Sequence, residues 1–204
     1  MKRLLPIVAT LAILGFGLAA WGVNAPRQAA GFVLGENIDQ FKDKIRSGSA
    51  LPVRYLESIK EVEMKDVRGF KSGIVSYGTC AAGNRIVGLS LKYEDASRDF
   101  YLRLLEKLKD RFGEPEEWKG DAFGVVLSWK WYFNAANGDR ISMILQHNVK
   151  DETFKKGNVL KLTYSSLMEQ EITCFHQRNP KAAERPSAKS RSRRIEDWES
   201  LMPR

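Results

Sequence analysis

The side chains of this chain best suited to covalent or metal chemistry are two cysteines and two histidines: Cys80, Cys174, His147 and His176. An even pair of cysteines in an oxidising compartment reads most simply as one disulfide. A Cys80–Cys174 bridge would span 94 residues, a loop for which chain-entropy arguments give about 4–5 kcal/mol before strain is subtracted. A second reading places a metal or thiol site at Cys80, Cys174, His176 and His147, but Cys-x-His lacks the usual ligand spacing. As a nucleophile pair, Cys174 and His176 would point the same way if they lay on a strand, yet nothing nearby supplies a third, orienting group. No cofactor or catalytic motif is implied.

Carboxylates and tryptophans offer the remaining chemistry. Asp95 and Asp99, or Glu114, Glu116 and Glu117, could serve as acid and base, but carboxylates flanking a helix usually act as caps and solvated charge. Trp129 and Trp131 could stack a sugar ring, yet they share an apolar strand face with Leu127 and Phe133, which reads as core. Trp118, beside Gly120 in an expected loop, is the better surface candidate for a partner contact.

These residues need elements to position them. Ser97 can cap a helix in which Phe100, Leu104, Leu108 and Phe112 recur every four residues with Tyr101 and Leu105 beside them. Asp99 suits its first turn, and Gly113 and Pro115 end it. From Val125 to Phe133 apolar residues alternate with Val126, Ser128, Lys130 and Tyr132, the period of a strand with one buried face. A turn at Asn137-Gly138-Asp139 leads to Ile141, Met143 and Leu145, where His147 ends a core face. A third alternation, Leu160, Leu162 and Tyr164, follows Gly157.

The first half reads as a weaker version of the same unit. Ile38, Phe41 and Ile45 share a helical face after Gly35; Tyr55 to Val67 is extended; Ile74–Tyr77 and Ile86–Tyr93 pair around the Gly78–Arg85 loop. Leu89-Ser-Leu91-Lys-Tyr93 and Leu160-Lys-Leu162-Thr-Tyr164 even share a spelling. The expectation is an α+β fold: two helix-strand-strand-strand units, residues 31–95 and 96–175, forming one antiparallel sheet with helices on one face. Residues 26–177 then make a single domain.

Lys2 and Arg3 precede 20 residues, Leu4 to Val23, that are almost wholly apolar. This is the order of a secretory signal, and the stretch is also long enough to span a bilayer core. Residues 1–25 thus fit both a cleaved signal peptide and a retained N-terminal membrane anchor, and the positive-inside rule sends the rest across in either case. The expected location is periplasmic or secreted. Of the formal charge of +8, Lys2 and Arg3 carry +2, residues 178–204 carry +4 and residues 26–177 only +2. A nearly neutral domain lacks the basic face of a nucleic-acid binder.

Residues 178–204 are a different material. From Asn179-Pro180 to Arg194 there is no large apolar residue, so a disordered basic tail is expected. Lys189, Arg191, Arg193 and Arg194 could meet an anionic membrane surface, at about 1 kcal/mol per basic residue. Ile195, Trp198 and Leu201 would share one face of a short recognition helix.

The helix end Leu104-x-x-x-Leu108-x-x-x-Phe112-Gly113-x-Pro115, followed by three strands, resembles the small exported α+β modules of the BamE/SmpA outer-membrane assembly lipoproteins. A tandem of two such modules is similar to the beta-lactamase inhibitory proteins. The resemblance spans residues 31–175 and departs from the lipoproteins in having no cysteine just after the apolar run. It implies a non-catalytic module that binds another protein of the envelope; a secreted hydrolase or lyase is the alternative.

Overall fold

The structure is a computed structural model that describes residues 25–135, 137–149 and 156–180. The expected leader and all but the first residues of the tail, including Lys189, Arg191, Arg193, Arg194, Ile195, Trp198 and Leu201, lie outside the described residues. No helix among the described residues is long and apolar enough to cross a membrane.

A small hairpin, β1 (Gln28–Ala29) and β2 (Phe32–Val33), leads to a 3-10 helix, Ile38–Lys44. Then come β3 (Leu51–Val53), β4 (Leu56–Glu63), β5 (Phe70–Gly78) and β6 (Ile86–Tyr93). Helix α1 (Arg98–Phe112) separates them from β7 (Glu117–Trp118), β8 (Val126–Asn134), β9 (Arg140–Asn148) and β10 (Gly157–Tyr164), and α2 (Ser165–Arg178) follows directly. Strands β3 to β10 form one antiparallel sheet in the order β3-β4-β5-β6-β10-β9-β8-β7. The fold is therefore α+β around an antiparallel sheet, and β6 and β10, the two strands of like spelling, pair at its centre with Leu91 opposite Leu160.

Strand alternation builds the core. Leu127, Trp129, Trp131 and Phe133 stand opposite His147, Leu145, Met143 and Ile141, which in turn stand opposite Asn158, Leu160, Leu162 and Tyr164. Helix α1 lies on this face. Its Ser97 hydroxyl accepts from Phe100 N at 3.2 Å, and Gly113 closes it at φ +80°, a left-handed value that favours glycine. Tyr101 and Leu105 are its buried residues, whereas Phe100, Leu104, Leu108 and Phe112 are half-buried, so the face lies slightly round from the expected stripe. Phe112 meets Phe133 edge-on at 5.7 Å and Trp131 Nε1 donates to Gly113 O at 2.8 Å, satisfying the indole while the ring is buried.

Over the other half of the same face the cover differs from expectation. Ile38, Phe41 and Ile45 are buried as read, but the segment is a 3-10 helix kinked at Phe41, where φ is −117°. Ile38 and Phe41 lie three apart, the spacing that a 3-10 turn stacks, and seven residues are too few to hold an α-helix by themselves. Helix α2 was not expected at all, and it crosses the end of the opposite face. Ser142, which alternation places away from α1, meets Ser165 there, and a Cβ at Gly78 would come within 2.7 Å of the Glu171 carboxyl. The helices thus cover both faces rather than one.

Candidate functional site

Two carboxylates organise the loops at opposite ends of the sheet. Glu171 on α2 is fully buried, between Leu167 and Phe175 on the same face. Its oxygens accept from the backbone N–H groups of Cys80, Ala81 and Ala82 at 2.5, 2.8 and 2.7 Å. A carboxylate taken out of water survives only with such full compensation. One turn further along α2, Cys174 forms a disulfide with Cys80, the Cα atoms 5.9 Å apart. The β5–β6 loop is therefore held to α2 twice.

That arrangement decides the sulfur chemistry. Each thiol is consumed by the other, which removes the ligands and the nucleophile that a metal or hydrolytic site would need. Cys174 and His176 lie on α2 and not on a strand, so two residues of separation turn them to different sides of the helix. His147 ends a core face as expected. It is buried against Tyr101, with Nδ1 2.7 Å from Asn158 Oδ1. Because Asn158 Nδ2 donates to Asp95 O and Ser97 O, its Oδ1 is left to accept, so Nδ1 carries the imidazole proton. This network fastens the start of α1 to β9 and β10.

The other carboxylates considered act locally. Asp95 accepts from Ser97 N, and hydrogen bonds from the Ser97 side chain and backbone hold its pKa below the ordinary value. Asp99 is exposed, and Glu114 pairs with Lys109 at 3.1 Å. Glu116 accepts from Tyr132 N at 2.7 Å, while Glu117 pairs with Lys119 at 2.8 Å and accepts from the Tyr132 hydroxyl at 2.5 Å.

At the β7–β8 end the second organising carboxylate, Asp121, accepts from Phe123 N at 2.9 Å, Val125 N at 3.0 Å and Val126 N at 2.7 Å. Burial would raise its pKa, but the amides of Val126, Val125 and Phe123 outweigh it and lower the value. The clamp closes a short loop, and Gly124 at φ +69° makes the turn. Phe123 at its tip is 92% exposed. Trp118 lies on the edge strand β7 and not in a loop, because Glu116 N and Lys119 N bond to Lys130 O and Ser128 O of β8. Its ring, 43% exposed, packs on Trp129 at 4.7 Å and covers Gly120, where a Cβ would come within 2.0 Å of it. Trp131 is buried and Trp129 half-buried, so neither offers a free face for a sugar.

Glu171, Asp121 and Phe123 escape a reading by motif. A lone acid in the apolar i, i+4, i+8 series Leu167-Glu171-Phe175 is the signal for the first, and an aspartate between Gly120 and Gly124 for the others. No family model matches the chain, and neither a curated protein nor a solved structure is found to be similar to it.

Proposed function

We propose that this is a non-catalytic protein-binding module of the cell envelope, exported by its apolar start, that grips its partner at the β7–β8 end. One observation carries the reading: an exposed phenylalanine at the tip of a loop that its own aspartate holds still. A solvent-facing Phe costs stability unless something covers it, and a rigid aromatic loses little entropy when that happens. Trp118 and Tyr132, 43% and 42% exposed, widen the aromatic surface around it.

The tail, with Lys189, Arg191, Arg193 and Arg194 and the Ile195, Trp198 and Leu201 stripe, is proposed as a second contact, to an anionic membrane surface or to the same partner. Two pseudo-repeat units, 31–95 and 96–175, are supported by the meanders β3–β6 and β7–β10, each preceded by a helical segment and joined through their last strands.

The test crosslinks intact cells and isolates the protein with whatever it touches. Phe123→Ala and Trp118→Ala should leave the melting temperature unchanged and lower the yield of the crosslinked species roughly tenfold or more. An undiminished yield in both variants refutes the site. Export is checked separately by a reporter fused after residue 40, which should be active only if that point crosses the membrane.

A further inference from the structure

Between the N-terminal strap and the last turns of α1 lies a cavity of about 550 Å³, within the range of small-molecule sites. Its floor is the apolar sheet surface of Met143, Leu160 and Leu162, and Leu108 and Phe112 form one wall. Two guanidinium groups reach it, and their situations differ. Arg27 is already balanced: it pairs with Asp139 and lies over the Tyr164 ring. Arg111 is exposed, touches only the face of Phe112 at 5.4 Å, and makes no ion pair among the described residues.

An apolar chamber with one uncommitted cation at its mouth has the chemistry of a site for an amphiphile. We infer that this cavity binds a single acyl or alkyl chain ending in an oxyanion, with the chain over Met143, Leu160 and Leu162 and the head group at Arg111. The C-terminal end of α1 opposes an anion there with about half a charge, which the full charge of the guanidinium exceeds. The site is separate from the β7–β8 aromatic surface, so its test does not depend on that reading.

Calorimetry on the full chain, with ligands kept below their micelle concentrations, decides the matter. Tetradecanoate and tetradecyl phosphate are the probes, and whichever binds more tightly identifies the head group. Affinity should rise about fourfold per methylene from eight to about twelve carbons and then level off as the chamber fills. Arg111→Gln should weaken the anionic probes about tenfold and leave tetradecanol unchanged. Leu108→Trp, which fills the chamber, should abolish binding of all three at an unaltered melting temperature. Absence of binding by the unaltered chain, equal affinity for anion and alcohol, or indifference to Arg111→Gln would each overturn the assignment.

Discussion

Glu171 and Asp121 do the same thing in two settings. Each carboxylate gathers three backbone N–H groups of a loop, Glu171 across some 90 residues of sequence and Asp121 within five. Around Glu171 the loop is pulled inward, Ala82 is 1% exposed, and a disulfide stands one turn away. Around Asp121 the loop is pushed outward and its largest side chain meets water. The same hydrogen-bonding device closes a core in one place and presents a surface in the other, and the difference lies in what surrounds it. Energetically the buried version matters more, because an amide stranded without water has no substitute partner.

The sharpest way to break the comparison is Glu171→Ala. It strands three N–H groups and should cost about 3–5 kcal/mol, lowering the melting temperature by roughly 10 °C without changing partner crosslinking per folded molecule. Next in size is the disulfide. Cys80→Ser with Cys174→Ser should cost about 2–4 kcal/mol in urea unfolding. Combined with Glu171→Ala it should cost less than the sum, since both ties hold the same loop to the same helix. Full additivity would mean that the two ties secure different parts of the molecule.

Asp121→Ala should behave oppositely. Water can replace the carboxylate at the surface, so the melting point should move little, while crosslinking should fall as far as it does for Phe123→Ala, because a mobile loop must be ordered on binding. The smallest effect belongs to acid. Hydrogen bonds from Tyr164, then Arg27 and Asn137, hold the Asp139 pKa down to about 2. Its contribution to stability is therefore present above the ordinary carboxylate range near 4 and is lost as pH falls toward 2. Asp139→Asn should flatten the melting curve's pH dependence between pH 4 and 2, and an unchanged acid slope would show that this turn does not sense pH.

Much of the scaffold was legible because its causes are local. The alternation from Val125 to Phe133 is strand β8, the Ser97 cap and Gly113 bound α1, and Phe70–Gly78 pairs with Ile86–Tyr93 around the expected loop. What escaped was either too short or too distant. Strand β7 has two residues, fewer than any period can reveal, and exists because β8 supplies its partners. Helix α2 carries a charged residue in its apolar stripe, which reads as a solvent face until the amides of residues 80–82 are brought to it.

Taken alone, the sequence determined the alternations and the helix caps, together with the near-neutral charge of the domain, since each depends on residues within one turn or one strand. Only the tertiary structure decided that Glu171 is a core residue, that helices cover both faces of the sheet, and that Phe123 stands free. Burial of a polar group depends on partners far along the chain, and exposure of an apolar one depends on what fails to pack against it.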